Sequence, residues 1–247
     1  MKDYYSLSKS PFYSFIFTIP LFILYEIGVI AVADDDIYIL RNGADVFLRQ
    51  ILETFGVVGL YGFSGLVFVG FLATFMYQRH TWEETTLNRN TLIGMLLESF
   101  FWAIMLYFSL AKVMLTLMNP NGVMMTQQVV LALGAGLYEE FLFRVLLIAG
   151  IGALLTLLFQ WKESLSKWTG MFISAIIFSL FHFIGDFGDD FHFNLFLIRF
   201  VAGLILGSLY ILRGFGITAY AHSIYDLIFS KSFQLIFLFQ QKNPQAS

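Results

Sequence analysis

Long apolar runs separated by short polar links form the main pattern of the chain. Seven runs are apolar enough to be read as helices, at about residues 11–33, 57–77, 91–118, 129–159, 171–184, 195–212 and 217–239. A helix needs about 20 residues to cross the hydrocarbon core of a bilayer, and most of the runs reach or approach that length. The pattern therefore predicts an all-α fold, a polytopic transmembrane helix bundle of about seven to eight membrane helices with an intramembrane polar cavity.

Two segments leave the number of helices open. An amphipathic piece at about residues 46–55 is expected to lie at the membrane interface, and the fourth run is long enough to form two elements. The sequence Asn-Pro-Asn-Gly at residues 119–122 predicts a turn before that run. No internal repeat is found, so residues 1–247 are read as a single membrane-embedded domain.

Composition excludes several classes of protein. The chain is 58% hydrophobic and 13% charged, whereas charged residues make up about 25% of a typical soluble domain. It has no cysteine, which rules out disulfides, thiol catalysis and cysteine metal sites. The net charge of −3, without a basic stripe, gives no indication of a nucleic-acid partner.

Positive charges in the links predict the orientation of the bundle. The N-terminal segment and the links at 78–90 and 160–170 each carry two Lys or Arg, whereas the links after the third and fifth runs carry none. Because cytoplasmic links are enriched in Lys and Arg, we expect the N-terminus in the cytoplasm, in a bacterial plasma membrane. Arg41 and Arg49, in the first loop, run against this pattern.

The fourth run contains the sequence Leu-Tyr-Glu-Glu-Phe-Leu-Phe-Arg at residues 137–144. Ionisable side chains near the bilayer centre cost roughly 2.5–3.5 kcal/mol each, even on lenient scales. On a helix, Glu140 and Arg144 lie four apart on one face and can pair. Glu139 points about 100° away from Glu140. We predict that Glu140 and Arg144 neutralise each other as a supporting pair, while Glu139 faces the bundle interior.

Two histidines and an aspartate fall in later apolar runs at compatible depths. His182 ends the sequence Phe-Ser-Leu-Phe-His of the fifth run, and His222 and Asp226 lie four apart in the seventh. That spacing lets the Asp226 carboxyl hydrogen-bond the imidazole. Interhelical hydrogen bonding explains any one of these residues, but several costly polar groups together favour a functional site. A metal site is the second interpretation.

The remaining polar residues of the runs are interpreted as structural. Glu26 and Glu98 are expected to pair with Arg199 or with backbone groups. The Gly203-x-x-x-Gly207 spacing of the sixth run predicts a close helix contact.

The order Glu-Glu-x-x-x-Arg, Phe-x-x-x-His and His-x-x-x-Asn/Asp resembles the CAAX protease and bacteriocin-processing family of glutamic-type intramembrane proteases. The resemblance covers about residues 129–239. The matching residues are Glu139, Glu140 and Arg144, then Phe178 and His182, then His222 and Asp226.

This resemblance implies an intramembrane endopeptidase that needs no cofactor and acts on a peptide or protein substrate at or in the lipid bilayer. Glu139 is the implied general base, and His182 helps to position the attacking water. His222 and Asp226 are implied to hold the tetrahedral oxyanion. Many members carry Asn at the position of Asp226, so we expect Asp226 either to be protonated or to orient His222.

Three other function classes stay open at this point, and a transporter is the weakest of them because no inverted repeat or pair of half-helices is evident. A non-catalytic membrane protein of the same fold, such as a bacteriocin immunity factor or scaffold, would be insensitive to changes at Glu139 and His182. A metal-dependent membrane hydrolase would lose its activity in the presence of a chelator.

Overall fold

The computed structural model describes residues 3–32, 41–54, 56, 87–117, 125–185 and 188–242, and the regular elements in these ranges are all helical. Seven of the helices are α1 (Tyr4–Ser8), α2 (Pro11–Val32), α3 (Gly43–Thr54), α4 (Arg89–Leu117), α6 (Glu163–Phe181), α7 (Phe193–Arg213) and α8 (Phe215–Lys242). Between α4 and α6 lies the long helix α5, which joins α-helical Met125–Gly134, π-helical Ala135–Glu139 and Phe141–Ile148, and α-helical Ala149–Phe159. The all-α prediction is confirmed.

Five of the described segments are long and apolar enough to cross a membrane, namely Pro11–Val32, Arg89–Leu110, Thr126–Phe159, Glu163–Phe181 and Phe193–Arg213. They correspond to the first, third, fourth, fifth and sixth predicted runs. The fourth run forms one helix, because its backbone stays right-handed helical at Gly134, Glu140 and Ala149. The seventh run forms α8, whose crossing of the membrane stays a prediction. The second run and the turn at 119–122 lie outside the described residues.

The predicted link at 160–170 is wrong, because α6 already begins at Glu163. The connection is confined to residues 160–162, and Gln160 ends α5 in a left-handed conformation with φ of 53°. The polar residues that suggested a loop include Ser166, which is buried and accepts a hydrogen bond from Thr156 of α5 at 3.0 Å. A polar helix start that packs against its neighbour is indistinguishable from a loop by hydropathy alone.

The amphipathic piece forms α3, and one of its faces packs on the bundle. Ala44, Asp45, Leu48 and Arg49 are buried on that face. A position at the membrane interface stays a prediction for the opposite face of this helix.

Helix α8 is packed against α2, α4, α5 and α7, and its contact with α5 includes a glycine. A Cβ atom on Gly136 would lie 2.0 Å from Ser223 Oγ and 2.3 Å from the Ala219 carbonyl oxygen. Because real Cβ atoms never come that near, a side chain at this position would push the two helices apart. Glu139 and Glu140 follow Gly136 by one turn, so this contact fixes how near they lie to α8.

A second close contact joins α6 and α7. Cβ atoms on Gly203 and Gly207 would lie 3.1 Å from Ala175 Cβ and 2.6 Å from Met171 Cγ. The predicted glycine contact face is therefore present and faces α6.

Two acidic residues within the apolar helices have arginine partners from distant parts of the chain. Glu26 of α2 contacts Arg41 at 3.1 Å and Arg49 at 3.3 Å. Glu98 of α4 contacts Arg213, the last residue of α7, at 2.5 Å. These pairs join sequence-distant elements, so neither follows from helical spacing.

Arg199 has a different partner from the one predicted. It forms an ion pair with Asp189, which lies in the connection before α7. The predicted pairing of Arg199 with Glu26 or Glu98 is therefore wrong. Arg199 lies in the first turns of α7, whereas Glu98 lies where that helix ends.

Candidate active site

Two adjacent glutamates lie at the junction of the two π-helical turns of α5. Glu139 ends the first turn and Glu140 precedes the second. Both are buried, with exposed fractions of 8% and 0%. Wide π-helical turns occur frequently at functional sites. The angle between successive side chains is smaller in a π-helix than in an α-helix. The sequence analysis did not predict these π-helical turns.

Glu140 connects α5 to two neighbouring helices. Its Oε2 lies 3.0 Å from Arg144 Nε, and its Oε1 lies 2.8 Å from His222 Nδ1 of α8. The guanidinium of Arg144 in turn lies over the Phe178 ring of α6, 4.5 Å from its centre, in a cation–π contact. The expected Glu140–Arg144 pair is present, and His222 makes it a three-membered set.

Glu139 faces a separate cavity of about 120 Å³. Its Oε1 accepts a hydrogen bond from Asn42 Nδ2 at 2.8 Å, and its Oε2 has no hydrogen-bond partner within the described part of the chain. A cavity of this size holds several water molecules, since each occupies about 30 Å³ in the liquid. Asn42 was missed by the sequence analysis, because nothing in its spacing relates it to a residue 97 positions later.

His182 enters the same cavity directly after the last residue of α6. Its Nδ1 lies 2.8 Å from the Phe178 carbonyl oxygen, so Nδ1 carries a proton and donates it. The neutral ring then offers Nε2 as a hydrogen-bond acceptor. The ring also packs edge-on against the Phe178 ring at 4.9 Å, which holds its orientation.

Helix α8 contributes His222 and Asp226 to the cavity. His222 Nε2 lies 3.5 Å from Asp226 Oδ2, longer than the 2.9–3.0 Å or so of an ordinary N–H···O hydrogen bond. Because Nδ1 already contacts Glu140, both ring nitrogens face carboxyl groups. With Nδ1–H donated to Glu140, Nε2 can donate only when the ring carries both protons.

The four residues predicted to be catalytic thus line one cavity, although they come from three segments of the chain. Apolar side chains form much of the remaining wall, namely Leu106, Leu110, Ala135, Phe178, Ala202, Leu206 and Tyr225. Charges in such surroundings interact more strongly than in water, because the effective dielectric constant is lower.

Arg199 also lines the cavity, and the sequence analysis did not include it in the site. Its Nη2 contacts Asp189, while its buried Nη1 has no hydrogen-bond partner among the described residues. The signal that could have found it was its position inside an apolar run, where an arginine is costly.

Two further features bear on the alternatives. A larger groove of about 810 Å³ lies between the end of α5 and the start of α6, and it contains none of the candidate residues. Among the described residues, no group of three or more His, Cys, Asp or Glu side chains is arranged to hold a metal ion.

Comparison with known proteins gives one match. Residues 120–228 match the family model described as Type II CAAX prenyl endopeptidase Rce1-like. The matched segment contains all three motifs, from Glu139 to Asp226. The resemblance inferred from those motifs is confirmed, and it supports a CAAX-type membrane protease at the level of the family. No curated protein and no solved structure matches the chain.

Proposed function

We propose that this chain, whose residues 120–228 match the CAAX prenyl endopeptidase family, is a membrane-embedded glutamic-type peptidase. It hydrolyses a peptide bond of a membrane-associated substrate with a water molecule activated by Glu139. The observation that supports the proposal is that Glu139, His182 and His222 line one small cavity whose other walls are largely apolar.

The arrangement suits the activation of a water molecule. Glu139 Oε2 and His182 Nε2 are both acceptors, so each takes one of the two hydrogens of a water placed between them. One lone pair of that water is then directed at the scissile carbonyl carbon. As the C–O bond forms, Glu139 takes a proton from the water. Glu139 then passes this proton to the leaving nitrogen when the C–N bond breaks, and a carboxylic acid and an amine result.

The tetrahedral intermediate needs hydrogen-bond donors for its oxyanion. His222 supplies Nε2–H when its ring carries both protons, and Glu140 stabilises that cationic form from the Nδ1 side. Asp226 supplies a second donor if it is protonated, or else orients His222. Removing one such donor typically lowers kcat by about 10²–10³-fold.

The test uses the full chain in liposomes with an internally quenched prenylated peptide that ends in a CAAX sequence, beside the same peptide without the prenyl group. We expect cleavage by the wild type, and about 10²–10⁴-fold slower cleavage by His182→Ala, because a group that positions the attacking water is lost. His192→Ala, an exchange of an exposed histidine, is the matched control.

Two results would contradict the proposal. If His182→Ala cleaves the peptide at the wild-type rate, His182 does not position the attacking water, and the cavity is not the site of hydrolysis. Loss of wild-type activity in a chelator, with recovery on adding a divalent metal, would favour the metal-dependent hydrolase.

A further inference from the structure

The first half of the chain supplies a partner for the proposed catalytic glutamate. Asn42 lies just before α3 and is 7% exposed, and its Nδ2 donates to Glu139 Oε1 at 2.8 Å. The family match begins at residue 120, so Asn42 lies far outside it. The contact therefore joins a residue without an assigned role to the carboxylate on which hydrolysis depends.

The side-chain amide of Asn42 is fixed in one orientation. Its Oδ1 accepts a hydrogen bond from the Ala44 backbone N–H at 2.9 Å, and its own backbone N–H donates to the Tyr25 hydroxyl at 3.1 Å. Because Oδ1 is occupied by a donor, Nδ2 is the atom that must face Glu139. An amide held in this way offers Glu139 a donor in a constant position.

A buried ionic cluster, formed by Glu26, Arg41, Asp45 and Arg49, holds the segment that carries Asn42. Arg41 and Arg49 each lie 2.7 Å from a different oxygen of Asp45, and both contact Glu26. The Tyr25 hydroxyl donates to Asp45 at 2.9 Å. Burial lowers the pKa of the Arg41 guanidinium, but hydrogen bonds with Glu26 and Asp45 outweigh burial and raise it overall. The cluster thus connects the segment that carries Asn42 to α2 and to the first turns of α3.

The ionic cluster also contacts α5, at the residue before Glu139. The Tyr138 hydroxyl donates to Glu26 Oε1 at 3.1 Å, and the Tyr138 and Tyr25 rings lie 5.1 Å apart. Tyr138 immediately precedes Glu139. The segment bearing Asn42 and the helix bearing Glu139 are thus fixed to the same group of charges.

We infer that Asn42 is a positioning residue for Glu139, held in place by the ionic cluster of the first half of the chain. By occupying Oε1, Asn42 leaves Oε2 as the oxygen that receives the proton of the water. Its N–H also favours the ionised carboxylate, which is the form that acts as a base. This inference rests on the proposed function of Glu139.

The test compares Asn42→Asp and Asn42→Ala with Asn194→Ala, a change at an exposed asparagine. Asn42→Asp has the same shape and keeps the acceptor for Ala44, but it replaces the donor with a like charge. We expect kcat to fall about 10- to 100-fold in both variants, as for a lost hydrogen bond to a charged group, with KM nearly unchanged.

The pH profile separates positioning from a structural role. Losing the donor disfavours ionised Glu139, so the acid limb of kcat against pH moves to higher pH in Asn42→Ala and further in Asn42→Asp. The other charged or titratable groups around Glu139 stay in place in these variants, namely Glu140, Arg144, His182, Arg199, His222, Tyr225 and Asp226. A lower kcat with an unmoved acid limb would overturn the inference, and so would wild-type kinetics.

A second readout does not require activity. The difference infrared spectrum with and without Glu139→Gln isolates the carboxylate band of Glu139. Its midpoint on acid titration should be higher when the pair is measured in the Asn42→Ala background than in the wild-type background. An unchanged midpoint overturns the inference. Full activity of Glu139→Gln, by contrast, overturns the proposed function, so the two failures are distinguishable.

Discussion

Two glutamates that are neighbours in sequence have different surroundings. Glu140 contacts Arg144 and His222 and is fully buried, so it joins helices. Glu139 has one oxygen bound to Asn42 and lines the cavity. Helical spacing predicted the pairing of Glu140 with Arg144. It could not predict the Asn42 contact, which depends on how a distant segment folds back onto α5.

Glu140 contacts Arg144 and His222 in the bundle interior, and replacing Glu140 or Arg144 should destabilise the fold. Glu140→Gln or Arg144→Ala leaves a buried charge without its partner, at a cost of about 3–5 kcal/mol. We expect a lower yield of folded protein and a lower unfolding temperature, measured by size-exclusion chromatography and thermal unfolding. Glu139→Ala, which leaves that pair intact, should fold like the wild type. Equal losses in all three variants would refute this division of roles.

Asp226 tests how the oxyanion is held. Asp226→Asn supplies an amide that can donate a hydrogen bond without negative charge, so kcat should be at least that of the wild type. Asp226→Ala removes the donor and should lower kcat by about 10²–10³-fold. If steady-state kinetics show the Asn variant as impaired as the Ala variant, an ionised carboxylate is required, and Asp226 does not bind the oxyanion.

Among the helices, the close approach of α5 and α8 sets the geometry of the site. Gly136 lies at this contact, one turn before the two glutamates, and faces Ala219 and Ser223. Any change in the separation of α5 and α8 alters the position of Glu139 and Glu140 relative to His222.

Gly136→Ala should therefore reduce both stability and activity. The added methyl group forces α5 away from α8 and should cost about 1–3 kcal/mol, as overpacking does. Thermal unfolding and kcat measure the two effects. Gly150→Ala is the matched control on the same helix, because a Cβ atom there meets nothing within 4 Å. Similar behaviour of the two variants would show that the separation at Gly136 is not critical.

Sequence patterns were sufficient to predict some of the helices but not all of them. Runs of apolar residues predicted α2 and α7 to within a few residues, because length and hydropathy decide whether a segment can cross a bilayer. The start of α6 was missed, because its first residues are polar and hydropathy does not distinguish them from a loop. The π-helical turns of α5 were missed as well, because a continuous apolar run does not distinguish them from α-helical turns.

Hydrogen bonds bring three segments together at one end of the bundle. The Tyr5 hydroxyl donates to the Leu212 carbonyl at 2.8 Å, and the Tyr13 hydroxyl accepts from the Asn88 N–H at 2.9 Å. The N-terminus, the start of α4 and the end of α7 therefore lie side by side. Asn42 and His182 lie toward the other end, where α6 finishes.

The orientation of this bundle is a prediction from its link charges. Arg41 and Arg49 opposed it, but both are buried and paired with Glu26 and Asp45, so they are not exposed loop charges. With the N-terminus in the cytoplasm, a cysteine at Asp190 should react with a membrane-impermeant maleimide in intact bacteria.

The matched variant is Lys162→Cys, at the other end of α6. Its cysteine should stay unlabelled until the cells are opened. Because the natural chain has no cysteine, each variant carries a single reactive thiol. The reverse labelling pattern would mean that the N-terminus lies outside the cytoplasm.

The proposed hydrolysis depends on the Glu139 carboxylate acting as the base that activates water. The deciding measurement is kcat of Glu139→Gln in liposomes, beside Glu53→Gln, an exchange at an exposed position. We predict that Glu139→Gln lowers kcat by about 10²–10⁴-fold while remaining folded, because the amide cannot accept the proton. Glu53→Gln should match the wild type. A folded Glu139→Gln variant that cleaves the peptide at the wild-type rate would contradict the account.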